Sequence, residues 1–126
     1  MNFSEAVRSV LNKYATFEGR ARRAEYWYFV LLSFILSMVA QIIGVAGRNA
    51  GLITLLLLGV LSLVSLALII PGIAVSVRRL HDTGRSGWFL LIALIPIVGG
   101  ILLLVWTCSR GTEGPNRFGA DPVPAV

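Results

Sequence analysis

Three long stretches of this chain carry no charge: Trp27–Gly47, Asn49–Val77 and Ser86–Ser109, of 21, 29 and 24 residues. Each is mostly Leu, Ile, Val, Phe and Ala. A helix needs about 20 apolar residues to cross a bilayer, so each run is long enough to span. The expected class is an all-α membrane protein. Its charges are confined to an N-terminal segment, two connections and a tail.

Composition points the same way. Hydrophobic residues make up 56% and charged residues 13%, against about 25% charged in soluble domains. The 11 basic residues outnumber the 6 acidic ones, for a net charge of +5. In a soluble protein that balance would suggest nucleic acid. Between apolar spans it points instead to anionic headgroups and to cytoplasmic loops, with no nucleic-acid partner. All the basic residues but Lys13 are Arg, whose fork fits phosphate oxygens. The single cysteine, Cys108, excludes an intrachain disulfide and reads as a small residue at the end of an apolar run. The first apolar run begins only at Trp27 and exceeds the roughly 7–15 residues of a signal h-region, so it is expected to stay as a span.

One membrane domain, 1–126, is expected. An amphipathic helix lies within 1–18, with Phe3, Ala6, Val7, Val10, Leu11 and Tyr14 on one face and Glu5, Arg8, Ser9, Asn12 and Lys13 on the other. Asn2 and Glu5 have capping-box spacing. Two placements suit this helix: flat in the headgroup plane, or packed against the spans from the aqueous side. Arg20, Arg22 and Arg23, followed by Tyr26, Trp27 and Tyr28, have the order of a chain entering a bilayer. Transmembrane helices are expected at 27–46, 52–77 and 88–107, with a polar tail over 108–126. Ser33, Ser37, Ala40, Gln41 and Gly44 share about a quarter of the first helix and form a small-residue packing stripe. Ser65, Gly72 and Ser76 form a second. Pro71-Gly72 is a kink site in the second helix. Pro96, Gly99 and Gly100 interrupt the third.

Counting Lys and Arg gives the topology. Residues 1–26 carry five, Arg78–Arg85 three, the Arg48 turn one and the tail two. Three spans put the N-terminus and the Arg78 loop in the cytoplasm, with Arg48 and the tail outside. In a rival arrangement 88–107 is a bent, re-entrant hairpin that returns the tail to the cytoplasmic side.

Catalytic residues are few. There is one His, one Cys and no acid inside a span, and a metal site needs about three or four ligands. No metal, cofactor or enzymatic activity is expected. The main candidate site is the arginine set Arg20, Arg22, Arg23, Arg78, Arg79 and Arg85, for anionic lipid headgroups or a partner protein. Its bland alternative is a topology signal alone. Gly84 and Gly87 add flexible backbone that suits a phosphate. His81-Asp82 reads as a general base or as a structural pair, and the pair is favoured.

Gly19-Arg20-x-x-Arg23-x-x-Tyr26-Trp27, then Arg78-Arg79-Leu80-His81-Asp82-Thr83-Gly84-Arg85-Ser86-Gly87-Trp88, then Asn116-Arg117-Phe118-Gly119 with Pro122, resembles the bacterial family known as domain of unknown function 805. The resemblance covers about residues 15–122. It implies a small bacterial inner-membrane protein, multi-pass, and no particular activity. It also implies that the three motifs act together, which three full spans would prevent by leaving Asn116-Arg117 across the membrane from the others. Three functions are then ordered. A lipid- or partner-binding module that associates as a homo-oligomer or with another membrane protein comes first. An oligomeric transporter or channel lined by Ser33, Ser37 and Gln41 comes second. An interfacial enzyme using His81 and Asp82 comes third.

Overall fold

The computed structural model describes residues 2–120 and 122. Met1, Asp121 and residues 123–126, which complete the 108–126 tail, lie outside the described residues. The elements among the described residues are all helices: α1 (Phe3–Asn12), α2 (Arg23–Ala46), α3 (Leu52–Ala67), α4 (Ile69–Asp82), a 3-10 helix (Gly87–Leu94) and α5 (Val98–Cys108). The described residues contain no strand.

α1 starts where the Asn2 side chain accepts the Glu5 N–H at 2.8 Å, which satisfies one of the helix's orphan donors. It stops at Asn12. Its apolar face does not stand apart from the spans. Ala6 and Val10 are fully buried, and Val10 clusters with Ala21, Phe29 and Val75. Phe3 meets Tyr28 edge-on at 5.8 Å.

α2 has 24 residues, and α3 with α4 forms one apolar rod, Leu52–Asp82, of 31. Both are long enough to cross a bilayer. Their side chains face outward: Leu52, Leu55 and Leu63 are each 68% exposed. So large an apolar surface suits lipid, not water. The rod breaks at Leu68, whose N–H is shared between the Val64 and Ser65 carbonyls. Pro71 lacks an N–H and leaves the Ala67 carbonyl without its helical partner. The Tyr14 hydroxyl donates to that carbonyl instead, tying α1 to the break. At the far end of the rod, Gly51 turns at φ +60 and the Thr54 hydroxyl donates to the Gly47 carbonyl.

The span expected at 88–107 is replaced by a helical hairpin. Ile95 precedes Pro96 and is extended (φ −85, ψ 114), as the proline ring demands of its neighbour. Ile97 then takes φ +67. Gly99 packs so close to the Ile92 carbonyl that any Cβ would collide with it. The two legs stay together, with the Phe89 and Trp106 rings 5.6 Å apart. The 11 residues of α5 rise about 16 Å, half of a roughly 30 Å hydrocarbon core. Both ends of the hairpin therefore meet the C-terminal end of α4, and the tail begins beside the N-terminus of α2.

Candidate functional site

That shared end is built around buried charge. The last turn of α4 presents Arg78, Arg79 and Asp82, each at most 1% exposed, and the segment before α2 contributes Arg20 at 5%. Asp82 is the hub. One carboxylate oxygen pairs with Arg20 at 2.8 Å and the other with Arg79. Each guanidinium has donors left over, and each spends them on backbone carbonyls. Arg20 reaches Gly114 at 2.6 Å, Gly119 at 3.3 Å and Thr112. Arg79 reaches Ala21 at 3.1 Å, Thr107 at 3.0 Å and Ser109.

The Thr107–Ser109 contacts explain how the hairpin is held. A helix leaves its last carbonyls without intrahelical partners. At the end of α5 the partners come from elsewhere in the chain. Arg79 and the Trp27 indole (3.2 Å) serve Thr107, Arg23 (3.3 Å) serves Cys108, and Arg79 serves Ser109. The tail then crosses directly over Asp82. Thr112 N–H donates to the Asp82 carbonyl at 2.7 Å, and any Cβ on Gly111 would fall within the Asp82 carboxylate.

A second ion pair lies beneath α1. Arg78 meets Glu25 at 2.7 Å, and Ser9 donates to the same carboxylate oxygen at 3.1 Å. The remaining Arg78 donors, Nε and Nη2, have no acceptor among the described residues, a costly arrangement unless water reaches them.

His81 joins the tail to the network. Its Nδ1 donates to the Gly19 carbonyl at 2.9 Å, which fixes the tautomer. Its ring stacks on Phe118 at 4.0 Å and 2°, and its own carbonyl accepts from the Asn116 amide at 3.0 Å. Asn116 and Gly119 close a tight turn, and Arg117 covers Phe118 at 4.6 Å. The three motifs thus meet at one end of the molecule.

The arginine set divides in two. Arg20, Arg78 and Arg79 face inward, paired with Asp82 and Glu25, and their burial keeps them from a lipid surface. Arg85 is half-buried, with its guanidinium 4.7 Å from the Trp106 ring. Arg22 and Arg23 line a cavity of about 270 Å³ together with Ala24, Asp82, Arg110 and Gly111. Arg22 is the N-cap of α2 and gives no side-chain cap, so the positive helix end adds to the cavity. Gly84 turns at φ +78, Gly87 packs on Val77, and Trp88 is exposed; none of them lines the cavity. Arg110 was not among the arginines singled out from the sequence. Glu25, the partner of Arg78, was likewise not among the candidate site residues.

The small-residue stripes face one another across a groove of about 490 Å³. Ser33 and Ser37 line it from α2; Ser65, Gly72 and Ser76 line it from the rod. Ala40 and Gln41 do not line it, and Gln41 is exposed. Gly44 lies further along α2, in contact range of Leu58.

A family described as Protein of unknown function (DUF805) matches residues 14–120. The inner membrane protein YhaI of Escherichia coli (strain K12) is 44% identical over 115 residues, covering 90% of this chain and 92% of its own. The inner membrane protein YhaH of the same strain is 41% identical over 117 residues, with the same coverage. The uncharacterized protein YiiR, also from that strain, is 28% identical over 131 residues. No solved structure matches.

Proposed function

Because the chain belongs to the DUF805 family of inner-membrane proteins, which carries no assigned activity, we propose a function from its own geometry: it is a non-enzymatic, multi-pass module that binds the phosphate of an anionic lipid headgroup at its arginine end. One observation carries this reading. Arg22, Arg23 and Arg110 and the uncapped start of α2 converge on one cavity, at the level where an apolar shaft gives way to charge. Among the described residues the acid lining it, Asp82, is paired with Arg20 and Arg79.

The same distribution supports a cytoplasmic site. With the tail folded back, every basic residue except Arg48 lies at the arginine end, a stronger bias than eight against three. Both termini are then cytoplasmic. A reporter fused after Val126 should be active only as a cytoplasmic fusion, and periplasmic activity would reject this orientation.

One other reading loses support: an interfacial enzyme using His81 and Asp82 would need groups that are here committed to Gly19, Arg20 and Arg79.

The binding test is native mass spectrometry on the purified full chain. It should retain phosphatidylglycerol about tenfold better than phosphatidylcholine. Arg22→Gln should weaken that preference several-fold without loss of folding, because its side chain holds neither Asp82 nor the Thr107–Ser109 carbonyls, which Arg20, Arg79, Trp27 and Arg23 hold. Equal retention of the two lipids by the unaltered protein would overturn the proposal.

A further inference from the structure

We infer that the arginine cavity and the serine-lined groove are two parts of one site, occupied by a single diacyl phospholipid whose phosphate sits among the arginines and whose acyl chain lies between α2 and the Leu52–Asp82 rod. This rests on the headgroup reading above and commits the ligand to a membrane lipid, not a free phosphate.

The alignment comes from helix geometry. Arg22, Tyr26, Ser33 and Ser37 lie within about 60° of one another around α2, at 3.6 residues per turn. Arg22 lines the cavity, and the other three line the groove. The ionic and apolar parts are therefore stacked along one helix face, as headgroup and chain are in a lipid. The length agrees. Tyr26 to Ser37 spans about 16 Å of helical rise, half of a roughly 30 Å core, which is the depth of one leaflet.

The lining agrees as well. Small residues normally let two helices close on each other. Here they face each other and a gap remains, within the roughly 300–1,000 Å³ usual for ligand sites. The Ser33 and Ser76 hydroxyls bond back to Phe29 and Gly72 of their own helices, at 3.1 and 2.8 Å. Such serines give width without presenting unmet polarity. The other walls are apolar: Phe29, Leu68 and Val75 among them. A wide, mostly apolar slot beneath an arginine cavity fits a hydrocarbon chain better than a polar solute.

The test compares dioleoyl with dihexanoyl phosphatidylglycerol, and with glycerol 3-phosphate, by native mass spectrometry. Dioleoyl lipid should bind at least tenfold more tightly than either. Filling the groove with Ser37→Leu and Ser65→Leu should remove that advantage while leaving the preference for phosphatidylglycerol over phosphatidylcholine. Unchanged dioleoyl binding in this variant overturns the groove inference and leaves the headgroup reading standing. No preference for phosphatidylglycerol in the unaltered protein overturns both. Tight glycerol 3-phosphate binding, or a dimer that persists after lipid exchange and masks the groove, also overturns the inference. A phosphatidylglycerol with a diazirine on its acyl chain gives a second measurement that needs no variant. Its adducts should concentrate on 29–37 and 65–76. Adducts spread evenly over outward positions such as Ile42 and Leu55 would reject the site.

Discussion

At the Arg48 end of the molecule, leucines such as Leu52 and Leu55 are 68% exposed, and the side-chain clasp across the turn is Thr54 on the Gly47 carbonyl. At the opposite end, Arg78, Arg79 and Asp82 are at most 1% exposed, and Arg20 is nearly as buried. A soluble domain buries its leucines and exposes its arginines. Here the arrangement is inverted along one axis, and the solvent explains it. Lipid is as apolar as leucine, so burying the shaft's side chains gains little. Where the chain must turn or end near the hydrocarbon, unmet carbonyls are expensive. Arginine, with five donors, can meet several carbonyls while its charge is balanced by an acid. The difference suggests that specificity of fold sits at the charged end, while the shaft supplies length.

The largest expected effect tests that directly. Asp82→Asn leaves Arg20 and Arg79 buried without their shared counter-charge. Breaking such a buried pair from one side costs about 3–5 kcal/mol. The tail and the α5 end should detach together, because both hang from those two guanidiniums. Trypsin should then cut at Arg110 and Arg117 far faster than in the unaltered protein. A variant that keeps its tail protected would show that the network is not what holds this end.

A smaller effect is expected at Gly111. Alanine there places a methyl group inside the Asp82 carboxylate, so tail and acid must separate, at about 1–3 kcal/mol for an overpacked contact. Tail cleavage should rise while the thermal midpoint of the helices in detergent falls only slightly. If the two change together, the tail belongs to the core and the two ends differ less in how they are held.

Tyr14→Phe comes next. It removes the donor to Ala67, the carbonyl freed by Pro71. Losing that bond from a partly exposed tyrosine should cost about 1 kcal/mol. Hydrogen exchange should show faster opening around Leu68 and unchanged protection at Asp82. Unchanged exchange at Leu68 would mean that this carbonyl finds another donor.

The elements differed in how far the sequence disclosed them. α2 and the rod were legible because charge-free runs of that length have few alternatives. α1 was legible from its face pattern and its Asn2 cap. The hairpin was legible only as one of two arrangements. A run such as 86–109 has the same composition straight or folded. What decides it is nonlocal: Ile97 in the left-handed region, Gly99 against Ile92, and arginines from two other elements closing the Thr107–Ser109 carbonyls. The candidate site shared that difficulty. Six arginines were visible as a set, but which of them face inward depends on pairings between distant segments, Arg20 with Asp82 and Arg78 with Glu25. Arg110 became visible only once the tail folded back.

The smallest effect is expected in the shaft, and its smallness is the point. Leu63→Ala removes a side chain that is 68% exposed. In a soluble core such a change opens a cavity and costs about 2–5 kcal/mol. Here lipid fills the space in the folded chain, and the same side chain meets lipid when the helices separate. The transfer contribution therefore cancels, and the change should stay within about 0.5 kcal/mol, the range of ordinary surface substitutions. The measurement is the thermal midpoint of the variant in detergent, run beside Asp82→Asn. A loss at Leu63 that approached the loss at Asp82 would mean that the outward face of the shaft is covered, by a partner helix and not by lipid. The difference between the two ends would then belong to the isolated chain and not to the protein in its membrane.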